Sequence, residues 1–243
     1  MVRIDAGKVR AISPLLASLQ HGDLEALLHD GVVLQRDRGR ILHTSNVDAA
    51  DLLLHGTAYT RARTATGTEY IRRIHAAGEA IGLARVLTRL DAEEDLVAFS
   101  KAQALRIPGP ALRRLLHERP GVTRACLRTV ALDLTHAYEQ ESLLAHTSTA
   151  ERVILRIVEL AERFGRQERD GIYITLHLTQ EELASWARTS RESAAKVLQQ
   201  LRRAHVIVTG RRELIVLDLP GLRERAAHPP HDPTIPDLLH AIG

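Results

Sequence analysis

The chain is 243 residues long, 44% hydrophobic and 26% charged, with a formal net charge of +3, which leaves room for two domains with separate cores. Its one cysteine, Cys126, excludes an internal disulfide and any multi-cysteine cluster held by one chain, and aromatics at 3% are too few for stacking on single-stranded nucleic acid. No apolar run is long enough to span a bilayer and the opening MVRIDAGKVRAISPLL lacks a secretory core, so a cytoplasmic protein with no membrane partner is expected.

In chain order, residues 13–30 (SPLLASLQHGDLEALLHD) predict one or two short helices, starting at Ser13 before Pro14 and at Asp23. Across 31–108 short apolar or alternating runs recur at 32–34, 40–42, 51–54, 58–60, 69–71, 96–99 and 103–107. Turn signals separate them at Gly31, Asp37-Arg38-Gly39, His55-Gly56, Thr66-Gly67 and Gly78, the pattern of an antiparallel barrel or sandwich. From Gly109 the texture turns helical, with ALRRLLHERP closing at Pro120. A long helix then runs from about 121 to 146. Leu127, Val130, Leu134, Ala137 and Leu144 form a heptad-like seam along it, broken by Glu141. About 26 helical residues span roughly 39 Å. A seam of that length needs cover, which predicts a parallel homodimer contact; the alternative is packing on its own barrel.

Ser148 with Glu151 is a capping box, which predicts a break at 147–149, a new helix over 150–164 and a domain boundary. An alternating stretch follows, with Ile172, Ile174, Leu176 and Leu178 on one side. Residues 220–227 predict a short helix, and the tail AHPPHDPTIPDLLHAIG is Pro-rich and expected to be loose.

The most informative stretch is 178–212, LTQEELASWARTSRESAAKVLQQLRRAHVIVTGRR. Thr179 with Glu182 makes a second capping box, and Leu183, Ala184, Trp186 and Ala187 give the following helix its apolar side. Ser190 is an N-cap for a further helix that buries Ala194, Val197, Leu198 and Leu201, at i, i+3, i+4, i+7 spacing. Arg191, Glu192, Ala195, Lys196 and Gln199 are left on the other face. This is the arrangement of a helix-turn-helix reader, whose second helix puts N-terminal residues against base edges in the major groove. Arg suits guanine O6/N7, Glu suits cytosine N4, and small Ala195 permits close approach. From Arg188 to Arg212 seven basic residues face one acid, Glu192, so the rest of the chain is mildly acidic. Such a patch fits a phosphate-backbone footprint, although a solvated basic helix face has the same composition. A hairpin over 205–218, with its turn at Thr209-Gly210, together with the preceding strand predicts a winged version.

A roll, a long helix, a hinge and a winged helix-turn-helix, in that order over about residues 13–227, resemble the cyclic-AMP receptor protein / fumarate-nitrate regulator (CRP/FNR) family. The likeness is strongest at Thr189-Ser190-Arg191-Glu192-Ser193, which resembles the family's Ser-Arg-Glu-Thr/Ser start of the recognition helix. The resemblance implies an α+β fold: a cyclic-nucleotide-binding-like β-roll (jelly-roll) domain with flanking helices over 1–118, a dimerisation helix over 119–147, a winged helix-turn-helix domain over 148–228 and a tail over 229–243. It also implies double-stranded DNA, a second copy of the chain and RNA polymerase as partners. Arg191 and Glu192 would read bases and Lys196 a base or phosphate, while Thr179, Gln180, Ser190 and Ser193 would hold the backbone. Arg188 stands where the family's turn has Gly, and with Arg211 and Arg212 it would add phosphate contacts.

In the effector half the likeness departs from the family's phosphate-binding cassette, which is Gly-Glu and then, about ten residues on, Arg with Ser/Thr-Ala. Gly78-Glu79 resembles its first half; counting on from Glu79 reaches Arg89-Leu90-Asp91, whereas counting back from the long helix reaches Ala92-Glu93-Glu94-Asp95. Neither has the Ser/Thr-Ala pair, the stretch is acidic, and like charge repels a cyclic phosphate. The pair that contacts adenine corresponds to Ala137-Tyr138. Gly78, Glu79, Arg89, Ala137 and Tyr138 are therefore the effector candidates, and an effector other than cyclic AMP is expected, its identity unknown. Glu79 reads equally as a residue fixing the end of the roll. An iron–sulfur cluster is excluded with one cysteine, and the 13 histidines show no metal-ligand spacing, so no metal is expected. No nucleophile–base constellation or phosphate loop marks an enzyme. The alternative function is a small-molecule or haem-type sensor whose output is protein–protein contact.

Overall fold

The computed structural model describes residues 10–17, 19–44, 46–90 and 94–227. The chain forms two compact units, Met1–Glu141 and Ser142–Gly243. The first opens with helices α1 (Pro14–Ala17) and α2 (His21–His29). Eight strands follow: β1 (Val32–Arg36), β2 (Ile41–His43), β3 (Ala49–His55), β4 (Ala58–Arg63), β5 (Glu69–His75), β6 (Ala80–Ile81), β7 (Glu94–Ala98) and β8 (Ala102–Pro108), with α3 (Leu83–Thr88) between β6 and β7. Helices α4 (Gly109–Glu118) and α5 (Pro120–His146) come last.

The strands form two antiparallel four-stranded sheets, ordered β1-β8-β3-β6 and β2-β7-β4-β5. Strand β4 shows why: Ala58, Thr60 and Ala62 are buried while Tyr59, Arg61 and Arg63 alternate with them, the two-residue period of a half-buried strand. Between the sheets the core is made largely of small residues, Ala58, Ala98, Ala102 and Ala104 with Leu42, Leu53 and Leu96. A larger cluster packs α1, α2, α4 and the start of α5 onto the first sheet through Leu16, Leu24, Leu52, Leu105, Leu112 and Val122. Two turn glycines are sterically required: a Cβ at Gly56 would sit 2.2 Å from the Lys101 carbonyl, and one at Gly78 2.1 Å from that of Ile12, both at positive φ.

Buried charge in this unit is paired. Asp51, fully buried, accepts from Arg106 at 2.9 and 3.0 Å and lies 2.6 Å from His43 Nδ1, which satisfies the carboxylate inside the sheet. Along α5 only Val122, Ala125 and Cys126 are buried. Beyond them Leu127, Leu132, Leu134 and Tyr138 are each more than half exposed.

The second unit consists of α6 (Thr149–Phe164), β9 (Gly165–Glu168), β10 (Gly171–Ile174), α7 (Gln180–Trp186), α8 (Arg191–Arg203), β11 (Ile207–Gly210), β12 (Glu213–Val216) and α9 (Leu219–Ala227). Its sheet runs β11-β12-β10-β9, all antiparallel. Val153, Ile157 and Leu160 from α6, Leu183 and Trp186 from α7, and Ala194, Leu198 and Leu201 from α8 make its core.

Several expectations need correction. The hairpin turn is at Arg211-Arg212 rather than Thr209-Gly210, because β11 extends through Gly210 and Arg212 takes the left-handed backbone at φ 61°. The strand expected up to Leu178 ends at Ile174, and it pairs with β12 on one side and, on the other, with β9, formed from polar residues. Asp23 lies inside α2, which begins at His21, and is buried. Helix α3, with Gly82 left-handed at its start, interrupts a region expected to hold only strands. The tail beyond 227, and with it Ala92, Glu93 and Asp91 of the acidic stretch, lie outside the described residues.

Candidate nucleic-acid interface

Three helices of the second unit start where local side-chain chemistry dictates. At α6, Ser148 and Glu151 form a reciprocal capping box; at α7, the Glu182 N–H donates to Thr179 Oγ1 at 3.1 Å while Glu182 accepts from the Thr179 N–H at 2.8 Å. At α8, Ser190 Oγ accepts from the Ser193 N–H at 3.1 Å, a cap worth about 1 kcal/mol. The Glu192 carboxyl is held below its ordinary range, first by its own backbone N–H and then by the Ser190 hydroxyl, so it stays ionised at neutral pH.

Helix α8 buries Ala194, Val197, Leu198 and Leu201 and leaves Arg191, Glu192, Lys196 and Gln199 exposed. Gln180, Arg188, Ser190, Arg211 and Arg212 are exposed too, with Thr179 and Ser193 half-buried. The helix-turn-helix thus gathers most of the expected DNA-contacting set on α7, the turn and the start of α8, and the hairpin turn carries Arg211 and Arg212. Arg202 ties α8 to the hairpin, donating to Thr209 Oγ1 at 3.1 Å. Among the described residues, no ion pair occupies Arg191, Lys196, Arg211 or Arg212. Cations left open on the helix face and the hairpin turn are available to phosphates and base edges.

Arg188 has φ 53°, a left-handed turn residue without the freedom of glycine. The turn is held in place by a residue that sequence reasoning overlooked. Arg152 on α6 donates to the Ala187 carbonyl at 3.1 Å, to the Arg188 carbonyl at 3.5 Å, to the Thr147 carbonyl at 2.8 Å and to Thr149 Oγ1 at 3.3 Å. One guanidinium therefore spans the segment just after α5 and the turn just before α8. Beneath it Arg156, 5% exposed, stacks 4.8 Å from the Trp186 ring centroid and donates to Glu159 at 2.8 Å. Burial lowers the Arg156 pKa. An arginine at the helical spacing of Val153, Ile157 and Leu160 was the legible sign of this contact.

The effector candidates are distributed over the first unit. Gly78 and Glu79 sit between β5 and β6, Arg89 ends α3 with φ 60°, and Ala137 and Tyr138 are exposed on α5. Glu79 accepts from Arg73 at 3.0 Å, lies 3.1 Å from His75 Nδ1 and accepts from the Ala76 N–H at 3.2 Å. Arg73 also donates to Asp133 on α5 at 2.8 Å, and His75 Nε2 lies 2.7 Å from Thr60 Oγ1. The Glu79 carboxylate thus belongs to a network joining β4, β5 and α5. Among the described residues, no group of His, Cys, Asp or Glu side chains is placed to hold a metal, and no helix is long and apolar enough to cross a membrane.

Residues 151–225 match the Crp-like helix-turn-helix domain. The chain is 25% identical over 179 residues to the CRP-like cAMP-activated global transcriptional regulator of Mycobacterium tuberculosis, covering 74% of this chain and 80% of that protein. It is 37% identical over 86 residues to the transcriptional regulator LdrP of Thermus thermophilus, covering 34% and 43% respectively. In fold it is similar to the c-di-GMP responsive global regulator CLP of Xanthomonas campestris, with TM-score 0.73 and 17% identity over 82% of this chain and 100% of that one.

Proposed function

Because the chain belongs to the CRP/FNR family of transcription regulators, we propose that it works as a homodimer that reads an inverted repeat in double-stranded DNA with α8. The observation that carries this reading is the start of α8, where Arg191, Glu192 and Lys196 stand exposed over a buried apolar face. Arg191 and Glu192 read base edges in the major groove, Lys196 takes a base or phosphate, and Thr179, Gln180, Arg188, Ser190, Ser193, Arg211 and Arg212 hold the backbone. The exposed leucines of α5 support pairing of two chains along that helix, which gives a twofold protein for a twofold site. By family resemblance RNA polymerase is the protein partner and the setting is the cytoplasm; the output is regulation, not catalysis.

The relatives differ in effector: the Mycobacterium protein is cAMP-activated and the Xanthomonas protein c-di-GMP responsive. Here the commitment of Glu79 to Arg73 and His75 supports an effector other than cyclic AMP. Calorimetric titration with that nucleotide separates the two readings.

Arg191→Ala tests the DNA reading. Loss of a bidentate guanine contact costs about 1–3 kcal/mol, roughly a five- to 150-fold drop in affinity for the protein's own promoter fragments, with relaxed preference at one base pair per half-site. Fluorescence anisotropy with matched and shuffled duplexes measures it. Unchanged specific binding would overturn the assignment.

A further inference from the structure

The second unit contains a cleft whose apolar interior the DNA reading leaves without a role. It lies between α7, α8 and the β11–β12 hairpin and has a volume of about 210 Å³. Leu160, Ile174, Leu183 and Leu198 line it and are buried, so its floor is wholly aliphatic. Arg212 and Glu213 also line it and are exposed, which places both charges at the mouth. Among the described residues neither side chain enters an ion pair.

Size and charge together select a class of ligand. An apolar cavity of about 150 Å³ accommodates benzene, so this cleft takes a branched aliphatic or phenyl group whole. A simple fatty acid would satisfy Arg212 and leave its carboxylate facing Glu213; a simple amine would satisfy Glu213 and face Arg212. A zwitterion with an apolar side chain satisfies both. We propose that the cleft binds an apolar α-amino acid, with a side chain of leucine or phenylalanine size among the leucines, its α-carboxylate on Arg212 and its α-ammonium on Glu213. The consequence for regulation rests on the DNA reading. Thr179, Gln180 and Arg212 line the same cleft and are also assigned to the phosphate backbone. A bound amino acid therefore competes with a DNA phosphate for Arg212 and weakens operator binding.

The test is isothermal titration of the full chain, without DNA, against L-leucine, L-phenylalanine, 4-methylpentanoate and 3-methylbutylamine. The expected result is saturation by at least one amino acid at one per chain. The acid and the amine, each lacking one charge, bind at least about tenfold more weakly. Arg212→Ala and Glu213→Gln, both surface changes, each weaken the amino acid by about tenfold or more while circular dichroism stays unchanged. The proposal is overturned if neither amino acid saturates at millimolar concentration, if the acid alone binds as well, or if both variants bind like the parent. Since no DNA is present, failure here leaves the DNA reading intact, and failure of the Arg191→Ala test leaves this titration meaningful.

Discussion

Cys126 sits against the roll near the start of α5, 2% exposed, and burial pushes its thiol from the ordinary 9.0 up to about 11. The thiolate is the reactive form. At pH 8 native protein should therefore alkylate with iodoacetamide about a hundredfold more slowly than protein unfolded in urea, the ratio a two-unit shift predicts; mass spectrometry of timed samples reads it. The sign of the pH effect follows. The neutral thiol is favoured in the fold, so this contribution to stability is complete below pH 9 and is lost as pH rises from 9 toward 11, where the unfolded thiol ionises first. Equal alkylation rates in the two states would place the thiol at the surface. At the same scale, Arg188 shows how a polar side chain can stand at a left-handed turn when neighbours fix the backbone.

Among the elements, helix α6 has a mechanical part in the DNA-binding unit through Arg152. Its hydrogen bonds to the Thr147 and Ala187 carbonyls bridge the end of the long helix and the turn that aims α8. Hydrogen bonds from a charged donor are worth about 1.5–3 kcal/mol. Arg152→Ala should lower the thermal midpoint of the DNA-binding unit and reduce operator affinity by about tenfold, with salt dependence unchanged because the Arg152 guanidinium is committed to protein acceptors. Lysine at 152 should recover only part, since a single ammonium cannot reach the same set of carbonyls. Operator affinity equal to the parent's would remove Arg152 from this role.

The elements that were legible in the sequence were those with local causes. Thr179/Glu182, Ser148/Glu151 and Ser190 each announce a helix start within four residues, and the apolar spacing of α8 separates its buried from its exposed face. What was hidden depends on partners distant in the chain. Strand β9 is polar and is a strand only because β10 pairs with it. The hairpin turn moved by two residues because Arg212 adopts a backbone that composition favours for Gly210. The role of Arg152 is hidden because most of its acceptors are backbone carbonyls, which leave no mark in a sequence.

For the whole molecule, the exposed leucines of α5 carry the argument. Leu127, Leu134 and Tyr138, spaced seven and four residues apart on one face, together leave an apolar stripe that water disfavours. If two chains pair along this face as proposed, Leu134→Glu should convert a dimer to monomer by sedimentation velocity, and operator affinity should fall far more than for any single contact residue, because two half-sites bound by one linked pair gain from effective concentration. A parent protein sedimenting as a monomer would remove the inverted-repeat reading while leaving a single half-site reader.

The helix caps at Ser190 and Thr179 have an evolutionary corollary. Each closes within its own few residues, so the scaffold does not depend on the side chains at 191 and 196, which stand on the outer face of α8. On the DNA reading proposed above, changes at those two positions can accumulate with little folding cost, and descendants of one such chain can drift apart in the promoters they govern while sharing every buried residue that holds the helix upright.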